Sequence, residues 1–258
     1  MEASLVDPSP RIIAGKEVGP LAFGHWRFVG ADDAGADALI EAALGLGMNL
    51  HDTADVYGFD WGGDGMGHAE RRLGGVLSRH PEWRDQMVII TKGGIMPGVP
   101  YDSSPAYLRR ACEASLSRIG VDHVDGYLVH RPDLLGHPEQ VAETLLGLRD
   151  EGKIGSIGVS NHTLEQTRAL DALLGEAVAV TQPEFSVAEL GPMRDGLFDH
   201  AMAVGTVPMA WSPLAGGRVP TGEGLPAPLV AVLDELAADR GVSRSAIAMA
   251  FVLSLIHI

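Results

Sequence analysis

The sequence predicts one α/β domain, a (β/α)8 TIM-type barrel, on three observations. Seven short apolar runs alternate with helical patterns at repeats of about 25 to 45 residues, the spacing of parallel strands joined by crossover helices. Titratable residues follow three of these runs at their C-terminal ends, where barrels of this class keep their chemistry. At 258 residues the chain is the length of one such barrel. Residues 1–258 are therefore read as a single domain, with Met1 to Pro10 expected to be flexible.

The elements follow in order. Arg11-Ile12-Ile13, then turn residues and Lys16 to Pro20, suit a small hairpin closing the barrel floor, and Leu21-Ala22-Phe23 suits the first barrel strand. Ala34 to Leu46 has helical spacing, with Asp32 or Asp33 to cap it and Gly47 to end it. Met48-Asn49-Leu50 opens a strand reaching Asp52. Gly62-Gly63-Asp64-Gly65-Met66-Gly67 precedes a helix from His68 to Arg79. This run lacks the Lys-Ser/Thr end of a P-loop and the full dinucleotide fingerprint, so it reads as a flexible rim.

Strand 87–91 leads to a helix from Ser104 to Ile119 whose Ser-Pro opening supplies cap and first-turn proline. Strand 126–129 leads to helix 138–151, strand 154–159 to helix 164–174 with Thr163 or Asn161 near its cap, and strand 178–182 to helix 191–204. Strand 207–211 is the seventh, and two helices, 229–238 and 243–253, follow it. No eighth strand and helix are legible, so the barrel is expected to lack them, leaving strands one and seven with unpaired edges. The tail Leu253-Ser254-Leu255-Ile256-His257-Ile258 resembles the in-frame translation of a transposon-end adapter, and residues 253–258 are read as a non-native tail on a C-terminally truncated frame.

Composition narrows the function classes. Lys+Arg 19 against Asp+Glu 34 leaves a formal charge of −15, which repels a nucleic-acid backbone and argues against such a partner. The single cysteine, Cys112, falls in an apolar helical pattern and reads as core, so no disulfide framework exists and a reducing compartment is expected. No apolar run approaches the roughly 18 residues a membrane span needs. The N-terminus lacks a signal peptide's apolar region, and the expected location is the cytoplasm.

The chemistry is expected at the barrel mouth. Asp52 ends its strand with Tyr57 five residues on, Lys92 follows the run Met87 to Thr91, and His130 follows Asp125 to Val129. Taken singly, a strand-end Asp is usually a cap, a loop Tyr packs, and a lone His is a satisfied core residue. Together they form the set that carbonyl reduction needs besides a hydride source: a proton donor at oxygen and stabilisation of the charge that builds there. A lysine ammonium beside Tyr57 is expected to lower the phenol's pKa by roughly one to three units from about 10. A buried ammonium needs a carboxylate, and Asp52 is placed to be it. His130 would orient the substrate oxygen.

At this point the chain resembles the aldo-keto reductase superfamily, in its bacterial short-loop branch. The resemblance rests on Asp52-Thr53-Ala54-Asp55-Val56-Tyr57-Gly58, Thr91-Lys92, Val129-His130-Arg131-Pro132-Asp133, Gly158-Val159-Ser160-Asn161, Thr181-Gln182-Pro183-Glu184 and Ala210-Trp211-Ser212-Pro213-Leu214, in that order. It implies a TIM barrel that uses NADPH, with NADH not excluded, to reduce an aldehyde or ketone, and it assigns Asp52, Tyr57, Lys92 and His130 as catalytic. It further implies Ser160, Asn161 and Gln182 around a nicotinamide carboxamide and Trp211 stacked on its ring. Ser212, Leu214, Gly216, Gly217 and Arg218 would wrap the pyrophosphate, and Gly24, His25 and Trp26 would lie near cofactor and substrate, with Trp26 and His130 touching substrate. The family's eighth strand, whose loop grips the adenine end, has no counterpart here.

His51 and Asp55 read as structural. No His-x-His metallohydrolase spacing occurs, so no metal is expected, and no Tyr-x-x-x-Lys occurs, which sets aside the short-chain dehydrogenase arrangement. Two alternatives remain: a redox-sensing interaction subunit that only binds the cofactor, as some relatives do with membrane channels, and an inactive truncated fragment. The physiological substrate and oligomeric state are not legible.

Overall fold

The computed structural model describes residues 9–59, 61–98 and 101–255. The rest of the segment expected to be flexible, residues 1–8, and the tail residues 256–258 lie outside the described residues.

Two short strands, β1 (Arg11–Ile13) and β2 (Lys16–Val18), form the expected antiparallel hairpin. Its turn, Ala14-Gly15, has both residues at positive φ, 50° and 75°, the geometry that matches a two-residue hairpin loop to strand twist. Ile13 and Val18 turn inward onto Leu50, Val88, Ile90, Leu128, Val180 and Val207 and so stopper one end of the barrel. The hairpin is tied down by Asn49, which donates to Glu17 O and accepts from Gly19 N.

Seven parallel strands follow in sequence order: β3 (Ala22–Gly24), β4 (Leu50–Asp52), β5 (Val88–Gly93), β6 (Val124–Val129), β7 (Ile154–Ser160), β8 (Val180–Gln182) and β9 (Val207–Pro208). The helices between them are α1 (Asp33–Gly45), α2 (His68–Arg79), α3 (Pro105–Ile119), α4 (Pro138–Asp150), α5 (Leu164–Leu174) and α6 (Leu197–Val204). A short α7 (Arg218–Thr221), α8 (Ala227–Arg240) and α9 (Arg244–Leu253) complete the described chain. This is the TIM-type architecture with seven sheet strands among the described residues, in which β3 and β9 end the sheet without pairing to each other. Helix α9 lays Val252 and Phe251 against Phe185, Phe198, Ala210 and Leu21, which flank those two end strands.

Strand parity divides the core. Leu50, Val88, Ile90, Leu128, Val180 and Val207 fill the barrel interior, while Ile89, Tyr127, Val129, Ile157 and Val159 face the helices and meet Leu73, Leu108, Cys112 and Leu145. Side chains of a strand alternate between faces, so the residue two places beyond each interior one also points inward. Asp52, Lys92, His130, Gln182 and Trp211 hold those positions beyond Leu50, Ile90, Leu128, Val180 and Met209.

Four helix starts are local chemistry. Asp32, Ser104, Thr163 and Ser243 accept from backbone N–H groups in the first turns of α1, α3, α5 and α9, with Thr163 and Gln166 completing a capping box. The expected helix 191–204 is broken: a 3-10 turn (Gly191–Met193) precedes α6, because Gly196 at φ 86° leaves the helical region and Asp195 caps Leu197 N. The expected strand 207–211 is ladder-paired only over β9, since its partner Pro183 has no N–H to return, and it resumes as a single bridge from Trp211 to Glu184, with Met209 N and Trp211 N still donating to Thr181 O and Pro183 O. Short 3-10 turns at Phe28–Gly30 and Pro81–Gln86 were not legible in the periodicity. Among the described residues no helix is long and apolar enough to cross a membrane.

Candidate active site

The strand ladder continues into the loops at the mouth, and that continuation positions the site. Thr53 N donates to Ile90 O, Asp55 N to Lys92 O, and His130 N to Gly93 O, at 2.9, 3.0 and 2.8 Å. The backbone after β4 and β6 is therefore clamped to β5 on both sides, so the side chains at 52, 92 and 130 hold the inward parity of their strands.

Lys92 is fully buried, and all three of its ammonium protons are used. Nζ lies 2.8 Å from each Asp52 carboxylate oxygen, 3.0 Å from Thr53 O and 3.1 Å from Tyr57 Oη. Burial works against the ammonium, but Asp52 and Tyr57 outweigh it and hold the lysine pKa above its ordinary value. Lys92 is thus a cation at neutral pH. The expectation for Tyr57 needs correction: its pKa stands above 10, not below it. Burial is the main cause and Asp52 adds to it, while Lys92 and Arg131 pull the other way. The sequence-based argument counted only the neighbouring cation and omitted the cost of taking a phenolate out of water.

His130 stacks edge-on to Tyr57, ring centroids 5.7 Å apart at 79°. Burial, then Lys92 and Arg131, holds its pKa well below 6.5, so the imidazole is neutral, and its Nδ1 has no hydrogen-bond partner. A neutral imidazole carries one N–H and can donate it.

Beside this group, side chains from three further strands form a chain. Asn161 Nδ2 donates to His130 O (3.1 Å) and to Ser160 Oγ (2.9 Å), its Oδ1 accepts from Trp211 Nε1 (2.9 Å), and Ser160 Oγ donates to Gln182 O (2.9 Å). Asn161 and Ser212 sit at φ 60° and 52°, a conformation non-glycine residues adopt at some cost and which gathers at binding sites. The flat Trp211 ring pinned by its edge beside two amides is chemically suited to a nicotinamide carboxamide, which needs both donors and acceptors.

Leu214 packs with Ala215, Val219 and Leu233, so its side chain builds the loop's own small core. Gly216 and Gly217 turn at φ 68° and 92°. Arg218 donates to Ala215 O and Gly224 O, bracing the loop. Gly24, at the end of β3, is exposed, and Trp26 is half-buried. His25 does not face the mouth: it is fully buried between Phe23 and Phe28, and Nε2 meets His51 Nδ1 at 3.1 Å. Burial takes both rings down, His51 to about 4, so they stay neutral. Cys112 is also buried, its thiol pushed up to about 12 by burial.

Three residues at the mouth were missed in the sequence. Arg27 lies 4.7 Å above the Trp61 ring, which meets Trp26 at 5.2 Å, and Arg27 also donates to Gly216 O across the mouth. A cleft of about 400 Å³ is lined by Arg27, Val29, Gly30, Trp61 and Gly62; none of Tyr57, Lys92 or His130 lines it. Arg131 stands 5.8 Å over Trp211. Its place next to His130 was the one available signal for it; Trp61 sits in a glycine-rich stretch with no periodicity.

Comparison with known proteins agrees with this architecture. The Aldo/keto reductase family model matches residues 20–255. A 6-dehydroglucose reductase of Novosphingobium aromaticivorans is 45% identical over 244 residues, covering 93% of this chain and 80% of that protein. Among solved structures, the glycerol dehydrogenase from Gluconobacter oxydans is similar with a TM-score of 0.82 at 27% identity, covering 97% of this chain and 84% of that one. An aldo/keto reductase from Klebsiella pneumoniae in complex with NADP and acetate gives 0.77 at 27% identity, covering 96% and 82%. With nearly its whole length matched, the chain belongs to the aldo/keto reductase family and is an oxidoreductase.

Proposed function

We propose that the protein reduces an aldehyde or ketone to the alcohol with NADPH as reductant and Tyr57 as proton donor. The observation that carries this reading is the Tyr57 hydroxyl 3.1 Å from a fully buried ammonium that is itself 2.8 Å from Asp52. A reduced nicotinamide, when bound, supplies the hydride, which no side chain can. Ser160, Asn161, Gln182 and Trp211 would hold it, with the loop 212–218 along its phosphates; in so acidic a chain the phosphates would be met by backbone amides and by Arg27 and Arg218. The NADP in the Klebsiella pneumoniae relative supports this cofactor.

The protein's own groups then divide the work. Neutral His130 donates a hydrogen bond to the substrate oxygen and draws it toward Tyr57. Tyr57, its pKa held up by burial, keeps its proton until negative charge builds on that oxygen, then delivers it. The phenolate left behind stands against the Lys92 cation, whose charge needs no reorganisation at that moment. Asp52 keeps Lys92 charged and aimed. For the substrate we favour a polyhydroxylated, sugar-type aldehyde. The relative named 6-dehydroglucose reductase supports this, as do the Trp26 and Trp61 faces, since aromatic faces suit such ligands.

Tyr57→Phe removes the proton and little else. Steady-state NADPH oxidation with aldehydes is expected to fall by at least about 10³-fold, while cofactor affinity by fluorescence quenching stays near wild type. Undiminished carbonyl reduction in Tyr57→Phe rules the assignment out.

A further inference from the structure

Behind the Tyr57 loop lies a buried cluster that the chemistry above does not use. Asp55 is 2% exposed, and its Oδ2 accepts from Tyr107 Oη at 2.8 Å. Its backbone N donates to Lys92 O. Tyr107, in the first turn of α3, also reaches a second, more distant acceptor, Ile95 O at 3.2 Å, in the segment leaving β5. One hydroxyl proton thus faces two acceptors, one on the Tyr57 loop and one on the Lys92 strand. Asp55 Oδ1 is buried without a partner. A carboxylate so placed costs stability that an apolar side chain would not, so its presence calls for a reason other than folding.

We propose that Asp55 and Tyr107 are positioning residues, whose hydrogen bond anchors the turn 54–58 to α3 and sets where the Tyr57 hydroxyl stands over Lys92. This rests on the reading of Tyr57 as proton donor. The anchor has two proton states. With Asp55 ionised, Tyr107 donates to it. When Asp55 takes a proton from solvent, Asp55 becomes the donor to Tyr107 and the Tyr107 proton turns to Ile95 O, so the charge-assisted bond holding the turn is replaced by a weaker neutral one. Burial raises the Asp55 pKa to about 7, against the lowering effect of the Tyr107 bond. The titratable and charged groups that bear on it are Tyr107 and Arg118 of α3, Glu70 of α2 and Tyr127 of β6.

The test measures kcat, cofactor affinity and unfolding stability across neutral pH for wild type, Asp55→Asn, Tyr107→Phe and Tyr57→Phe. In the wild type kcat falls as pH drops through about 7. Asp55→Asn lowers kcat about tenfold, the scale of one charge-assisted hydrogen bond, and abolishes that limb. Tyr107→Phe likewise lowers kcat and abolishes the limb, because no Asp55–Tyr107 bond is left for protonation to weaken. Cofactor affinity changes by less than about twofold in both, since neither residue reaches the residues assigned to the cofactor.

Stability supplies a readout independent of turnover. Asp55 binds its proton more tightly folded than unfolded, so the stabilisation from that proton is complete below about 3.8 and is lost as pH rises through about 7. Asp55→Asn lacks this decline. A wild-type kcat and limb in Asp55→Asn, beside an inactive Tyr57→Phe, overturns the positioning role and leaves the donor reading intact. An active Tyr57→Phe overturns both. Should Asp55→Asn fail to fold, a retained limb in Tyr107→Phe overturns the proposal.

Discussion

Strand β5 meets two ion pairs with buried carboxylates on its opposite faces, through the adjacent residues Thr91 and Lys92, and the two are finished differently. On the helix side, fully buried Glu70 accepts from Thr91 Oγ1 at 2.5 Å and from Arg118 Nε at 2.6 Å, and Arg118 also donates to Ser115. Both Glu70 oxygens are met, so the set is closed. On the interior side, Lys92 joins Asp52 to Tyr57, and that set ends in a phenol proton and a neutral imidazole. The same carboxylate–cation unit serves as an internal brace where every atom is satisfied, and as chemistry where two donors are left to meet a further oxygen.

This contrast can be broken by experiment, beginning with the largest effect. Lys92→Met removes the cation beside the phenolate and strands the Asp52 charge, so turnover should fall by at least about 10³-fold, and unfolding by denaturant should show a loss of about 3–5 kcal/mol. Retained turnover would mean that the interior pair is only another brace. Arg118→Met strands Glu70 and should cost about 3 kcal/mol in the same unfolding measurement, with far less effect on the turnover of the folded protein than Lys92→Met. An equal loss of turnover would erase the distinction between the faces. The smallest effect is expected at the lip, where Trp61 is 44% exposed. Trp61→Ala should lower kcat/KM for a sugar-type aldehyde by about 1 kcal/mol, or several-fold, and leave a small apolar aldehyde unchanged.

Much of the inward-facing site was readable because it is written in strand periodicity. Asp52, Lys92 and His130 lie two residues beyond the interior apolar residues Leu50, Ile90 and Leu128, so parity alone directs them into the mouth. Helix starts were equally local, as at Ser104 and Thr163, where a cap and its N–H lie within one turn. The broken helix before α6 shows where this ends. Apolar spacing continues through 191–204, but Gly196 and Asp195 make a turn that periodicity does not register. The direction of the Tyr57 pKa was misjudged for a related reason: a neighbouring charge is visible in a motif, whereas the depth of burial is not.

By itself the sequence determined the strand and helix alternation, the parity that aims acid, ammonium and imidazole at one point, and the capped helix starts, because each depends on residues within a turn or on a strand's two-residue repeat. Only the tertiary structure decided which polar groups close upon one another and which stay open. Tyr107 and Asp55 are 52 residues apart, Arg118 and Glu70 are 48 apart, and Arg27 and Gly216 are 189 apart. Hydrogen bonds and ion pairs reach only a few Å, so such partnerships exist only once the barrel has closed the distance between their elements.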